Sequence, residues 1–338
     1  MLRIHFTTED LNRLRVAAQP DPLWEIVHSL HLLQNRQAAL VFDPWRREVR
    51  AAIARTGLTR TVAALIRLCP SAAYFPDFLT PGQGIADLET GVDRVLSTPV
   101  TRLGDELGRL YEGGPVPPVA RLLAQGDPRA LMRLGDALRR YYAVAVEPYQ
   151  EAIAAAVAAD RQMRADAALE YGPEGLLSTY SPVLARRDDG MLTASYPVER
   201  ELELRGRSLT MLSSFFCIRR PIALADPALP PVLVHPLTPD PGWLARYRAA
   251  GEPGEGAAGE PVAHLIGHTR AAVLDVLERP MTTTQLGDTL RLTLSTASRH
   301  ATVLREAGLI VSERRGSHVL HRRSTLGDAL MNGVAFAS

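Results

Sequence analysis

The chain has 338 residues, of which 46% are hydrophobic and 22% charged, and a formal net charge of +1. These are the proportions of a globular protein long enough for two domains, each with a core of its own. All 38 basic residues are arginine, which excludes a GxxxxGK[ST] phosphate loop and a Schiff-base lysine, and Cys69 and Cys217 are too far apart to form a CxxC pair or a local cysteine-based zinc cage.

The amino terminus, MLRIHFTTED, has no apolar core of signal-peptide length, and no apolar run approaches the roughly 18 residues of a membrane span. The sequence therefore predicts a cytoplasmic, reduced protein with no membrane partner. Leu2-Arg3-Ile4-His5-Phe6 alternates as a strand does, and Thr7-Thr8-Glu9-Asp10 has the residue types of a helix start. Glu25, His28 and His31 follow at i, i+3, i+6 on a predicted helix. Glu-x-x-His is half of a di-iron motif, but no second copy with matching context appears, so the two histidines are read as structural. Trp24, Trp45, Tyr141, Tyr142 and Met163 are read as core rather than as the lining of a ligand cavity.

Asp127-Pro128 predicts a capped helix start, and the helical pattern continues to Gly172-Pro173 with one interruption at Pro148. Within it Leu131, Leu134, Leu138, Tyr141 and Ala145 keep 3-4-3-4 spacing. Two heptads are too few to argue a coiled coil, so this face is expected to pack within its own domain. After Gly175, short apolar or alternating runs at Met191 to Tyr196, Glu201 to Leu204, Leu209 to Ile218 and Val232 to Val234 predict strands. No GxSxG elbow, HExxH helix or GxGxxG turn after a strand occurs, so no enzyme, catalytic residue or cofactor is predicted.

The stretch from Ala249 to Gly259 is Gly, Ala, Pro and Glu with nothing to bury. The predicted organisation is a mixed α/β regulatory or dimerisation domain over residues 1–248, a flexible linker over 249–260 and a small winged helix-turn-helix domain over 261–338, an α+β protein overall. Residues 261–338 hold nine arginines against six acidic side chains and five of the nine histidines, whereas residues 1–260 carry a net charge of −2.

In the second domain, His264 to Arg279 predicts an amphipathic support helix with Leu265, Ile266, Thr269, Ala272, Val273, Val276 and Leu277 on its apolar face. Pro280-Met281 ends it, Thr282-Thr283-Thr284 caps a short helix through Leu290, and Thr293 caps a third from Leu294 to about Ala307, closed by Gly308. That helix buries Ala297, Ala301 and Leu304 and turns Ser295, Thr296, Ser298, Arg299 and Thr302 outward. Small hydroxyl residues around one arginine suit a helix that approaches base edges closely, whereas a merely solvated face more often carries opposite-charge pairs. Leu309 to Arg314 and His318 to Arg323, joined by Arg315-Gly316-Ser317, predict a hairpin whose four arginines, clustered at one tip, account for the domain's excess charge. Beside a helix-turn-helix, such a hairpin is a wing that can reach phosphate.

Leu286 to Arg323 resembles the winged helix-turn-helix of ArsR-type transcriptional regulators, with Leu292, Thr293, Ala297, Ser298, His300, Leu304, Ala307, Gly308, Leu309 and Ile310 on the family pattern. Gly287 stands where alanine is usual and Ala301 where leucine is usual, which predicts a looser helix pair. The whole chain is similar to actinobacterial regulators in which an uncharacterised α/β domain precedes such a module. The family's metal sites do not carry over: the module has no cysteine, and the C-terminal helix offers Asp328 but no histidine. His264 and His268 lie i, i+4, but Asp275 on the same face is about 10 Å further along the axis and cannot share their ion. His318 and His321 are expected on opposite faces of a strand.

The resemblance implies a regulator that binds double-stranded DNA as a homodimer on an inverted repeat, with an unknown small-molecule effector at the N-terminal domain. The residues it places at DNA are Thr293, Ser295, Thr296, Ser298, Arg299, His300, Thr302, Arg314, Arg315 and His318. The competing reading is a small-molecule-binding or enzymatic α/β protein that uses the winged helix as a protein-protein module. The clustered arginines of the hairpin weigh against it.

Overall fold

In the computed structural model the first strand alternates as the sequence does, with Leu2 and Ile4 buried and His5 exposed. The structure describes residues 1–82, 84–187, 190–251, 262, 265–290, 292–315 and 318–332, with the side chains of 8, 249–251, 268, 315, 318 and 332 left aside. The chain divides into two compact units, Met1–Pro241 and Gly242–Ser338.

The described helices of the first unit are α1 (Thr8–Leu11), α2 (Pro22–Gln34), α3 (Ala39–Arg55), α4 (Thr59–Leu68), α5 (Leu88–Leu96), α6 (Val100–Leu110), α7 (Pro118–Ala124), α8 (Pro128–Ala145) and α9 (Gln150–Ser178). Its strands are β1 (Leu2–His5), β2 (Arg15–Val16), β3 (Ala185–Arg186), β4 (Leu192–Ala194), β5 (Arg200–Glu203), β6 (Thr210–Ser214), β7 (Ile222–Ala223) and β8 (Val232–Pro236). Two four-stranded sheets result, ordered β3-β4-β1-β5 and β2-β6-β8-β7. In the second, β2, β6 and β8 run parallel and β7 closes the edge antiparallel. Leu2, Ile4, Leu192, Met211 and Leu233 share one apolar core, which seals a face of each sheet.

The local start signals act as their chemistry requires. Thr7 and Asp10 form a reciprocal capping box on α1, and Asp127 accepts the Ala130 N–H ahead of Pro128 at the first turn of α8. Leu134, Leu138, Tyr141 and Ala145 are buried within the unit. The helical pattern that began at Pro128 does stop at Gly172, whose φ of +68° and ψ of −164° are not helical, and Pro173 opens a second helical segment that completes the range of α9. One expectation is corrected. Met163 is 47% exposed rather than buried in a core, whereas Trp24, Trp45, Tyr141 and Tyr142 are buried.

The second unit contains α10 (Trp243–Gly251), α11 (His268–Val276), β9 (Met281–Thr282), α12 (Thr283–Leu290), α13 (Leu294–Glu306), β10 (Ile310–Arg315), β11 (His318–Arg323) and α14 (Thr325–Asn332). The reading of 249–260 as a linker meets a helix at its first residues, and 252–260 lie outside the described residues, as does His264 with the histidine pair it would form. The continuous helix expected from His264 to Arg279 is interrupted: Gly267 takes φ +90°, α11 starts after it, and Leu265 is exposed instead of facing the core. Val273, Leu274, Leu286, Ala297, Leu304 and Ile310 form the core that holds α11, α12 and α13 to the sheet β10-β11-β9.

Candidate nucleic-acid interface

Helix α13 is positioned from both ends. Thr293 adopts an extended conformation and its hydroxyl accepts the Thr296 N–H at 3.3 Å, while Gly308 leaves the helix at φ +72°. Ala297, Ala301 and Leu304 face the core. The opposite face leaves Ser295, Ser298 and Arg299 exposed and Thr296 and Thr302 half-buried. At the helix start the hydroxyls of Thr293, Ser295 and Thr296 form a small cluster, with Thr293 Oγ1 3.1 Å from Ser295 Oγ and 2.8 Å from Thr296 Oγ1. Exposed hydroxyls at a helix N-terminus, where the macrodipole is positive, suit an incoming phosphate.

The turn before α13 is tighter than Gly287 suggested. Leu292 donates its N–H to the Gly287 carbonyl at 2.8 Å, and a Cβ at 287 would sit 3.1 Å from the Leu292 carbonyl oxygen. Glycine at this position reflects close approach of the turn rather than a loose pair.

His300 is half-buried, with Nδ1 shielded and without a partner. Burial, with the Arg270 and Arg299 cations nearby, holds its pKa below the ordinary value, so the ring is neutral at pH 7. Leu294 is 58% exposed at the first position of α13, beside the hydroxyl cluster, and reading the sequence for polar contacts missed it. Spacing alone could not have found it: Leu294 stands three, seven and ten residues before Ala297, Ala301 and Leu304, in phase with the buried face, yet at the first turn it remains exposed. In a major groove such a side chain would suit a thymine methyl group.

The wing pairs Ile310 with Arg323, Val311 with Arg322, Arg314 with Val319 and Arg315 with His318. Arg314 is exposed beside the turn; the side chains of Arg315 and His318 lie outside the described set. The expectation of four arginines at one tip is corrected by this register. Arg323 lies at the base of the hairpin, and its guanidinium donates to the Leu274 carbonyl at 2.6 Å and the Asp275 carbonyl at 2.5 Å, at the end of α11. It thus satisfies the Leu274 carbonyl near the helix C-terminus and adds a second donor to the Asp275 carbonyl, which already accepts the Glu278 N–H. Arg322 is exposed but stands opposite Val311, away from the turn. His321, buried at the hairpin's root, joins Thr283 Oγ1 at 2.9 Å to Ser312 Oγ at 2.8 Å and so fixes the wing to the start of α12.

The family model described as a helix-turn-helix domain matches residues 268–313, which span α11, α12, α13 and part of β10. No curated protein and no solved structure matches the chain. The second unit is therefore a helix-turn-helix domain, the class of module through which transcription regulators hold DNA. No described helix is long and apolar enough to cross a membrane.

Proposed function

We propose that the protein is a cytoplasmic transcriptional regulator of the ArsR type, without enzymatic activity, which binds an inverted-repeat operator as a homodimer and answers to a small molecule held by its N-terminal unit. The observation that carries this reading is a helix-turn-helix match whose third helix turns Ser295, Ser298 and Arg299 outward, next to a hairpin with exposed Arg314. In this reading Ser295, Thr296, Ser298, Arg299 and Thr302 meet base edges, the Thr293 terminus meets phosphate, and Arg314, Arg315 and His318 lie along the backbone or minor groove, with His300 supporting the helix from its shielded side. One winged helix reads few base pairs, and twofold symmetry doubles the site without new contacts. An effector acts only if it binds one arrangement of the paired modules better than another.

The test is light scattering of the full chain together with titration onto an operator found by genome-wide mapping of bound sites. The expected result is a dimer that binds the palindrome far more tightly than a half-site. A monomer that binds both equally well would end the proposal.

A further inference from the structure

The first unit contains a cavity of about 420 Å³ next to the carboxyl end of β6, where the chain leaves Ser214 for Phe215, Phe216 and Cys217. The carboxyl ends of parallel strands are where open α/β sheets place their ligands, and this volume falls within the range of small-molecule sites. Tyr74, Phe75, Phe216 and Ile218 make its walls largely apolar.

One polar group in the wall is incomplete. His28 is 2% exposed, lines the cavity, and its Nε2 has no hydrogen-bond partner. The state of that nitrogen follows from the groups behind it. Glu25 accepts the Phe215 N–H at 2.8 Å, the Phe216 N–H at 3.2 Å and the Ser214 hydroxyl at 3.0 Å, three donors directed onto one carboxylate. Ser214 has a single proton and gives it to Glu25, so at 2.8 Å its oxygen accepts from His28 Nδ1. Burial keeps the ring neutral. With the proton on Nδ1, Nε2 is a bare acceptor, and a buried acceptor left unmatched is costly until something donates to it.

Charge at the same cavity favours an anion. Arg109, Arg200 and Arg220 line it against one carboxylate, Asp77. Asp77 is occupied by the N–H groups of Ala225 at 2.9 Å and Asp226 at 2.6 Å. Arg109 stacks on Tyr74 at 4.2 Å, and Arg200 donates to the Leu224 carbonyl. Arg220 is exposed at the cavity and makes no ion pair among the described residues.

We propose that this cavity binds a small aromatic carboxylic acid that carries a hydroxyl or N–H group, with its carboxylate at Arg220, its ring against Phe75 and Phe216, and its donor on His28 Nε2. Such a ligand supplies what the site lacks at both ends: a donor for the buried acceptor and a fork-compatible anion for the free guanidinium. Its role as the effector rests on the regulator reading above, but its binding does not.

Calorimetric titration of the full chain without DNA tests the proposal, at pH 8, above the value of about 7 to which burial lifts Glu25. The probes are 4-hydroxyphenylacetate, phenylacetate, which lacks the donor, and tyramine, which replaces the carboxylate by an ammonium group. The hydroxy acid is expected to bind about tenfold or more tightly than either. Arg220→Ala, an exposed substitution that leaves the fold alone, should weaken both acids about tenfold. His28→Phe should abolish the preference for the hydroxy acid; if it misfolds, the comparison of the two acids on the unaltered protein still decides. Silence of all three probes, equal binding of the two acids, or an unchanged affinity in Arg220→Ala would each overturn the assignment. Because no DNA is present, any of these results leaves the regulator reading standing.

Discussion

Arg323 separates two roles that an arginine in a DNA-binding hairpin can have. Its side chain is 9% exposed, and its two donated hydrogen bonds end on main-chain carbonyls of α11. Alanine at 323 removes both and leaves the Leu274 carbonyl without this donor. At about 1 kcal/mol net for each bond, the loss is about 2 kcal/mol. The nearby carboxylates of Asp275 and Asp328, at 3.7 Å and 3.8 Å, are mostly exposed and add little. For a unit of this size, about 2 kcal/mol corresponds to a fall in melting midpoint of roughly 8 to 16 °C. Differential scanning calorimetry of the full Arg323→Ala chain should show one transition lowered by that amount. Hydrogen exchange should assign it to β11 and the end of α11. Arg323→Lys, which keeps the charge but loses the planar fork, should lie between. The salt dependence of DNA affinity should keep its slope, because no phosphate contact is removed. An unshifted melt combined with a slope lower by about one would make Arg323 a phosphate contact and refute the reasoning.

What could be read in the sequence was what sits close together in it. The α13 cap at Thr293, its buried Ala297, Ala301 and Leu304, and the stop at Gly308 fall within one short stretch, and each acts through its nearest turns. The role of Arg323 depends instead on a hairpin register that brings the base of the wing to the end of α11, so composition alone made it one more basic residue of the tip. The break at Gly267 had a local signal, a glycine inside an amphipathic pattern, but the apolar spacing around it was continuous and outweighed it in the reading. The first unit shows the opposite limit. Glu25 and His28 were recognisable as a spacing, yet their partner is Ser214, 189 residues after Glu25. His31 meets Cys69 Sγ at 3.3 Å rather than a second carboxylate. The cavity that His28 and His31 border is assembled from α2, residues 71–77, residues 196–200 and the chain after β6, and no periodicity within one segment predicts such a meeting.

Four further outcomes follow from the same contacts. Arg299→Ala should lose about 1 to 3 kcal/mol on the cognate site and relax one base position in a binding-site selection; an equal loss on random DNA would make Arg299 a phosphate contact only. Arg314→Ala and Arg315→Ala should each lower the slope of log affinity against log salt by about one, and unchanged slopes would place the wing away from DNA. Thr293→Ala should destabilise the second unit by about 1 kcal/mol in urea titrations, since the Thr296 N–H loses its cap; Thr293→Ser should not. The last outcome concerns pH. His235 is 1% exposed, between Ser213 Oγ at 3.2 Å, Asp160 at 3.8 Å and the Tyr180 ring at 5.0 Å. Burial first, and the Arg164 cation second, hold its pKa below the ordinary 6.5 despite Asp160. The folded unit therefore refuses a proton that the unfolded chain accepts, so the stability His235 contributes is complete above pH 6.5 and is lost as pH falls below it, by about 1.4 kcal/mol per unit. His235→Gln has no such proton to refuse. Whatever its stability at pH 7, the gap between it and the parent, followed by Trp24 and Trp45 fluorescence in a Trp243→Phe background, should move in its favour by about 1.4 kcal/mol between pH 6 and pH 5. A gap that stays constant over that interval would mean that Asp160 outweighs burial and that His235 takes up its proton within the fold.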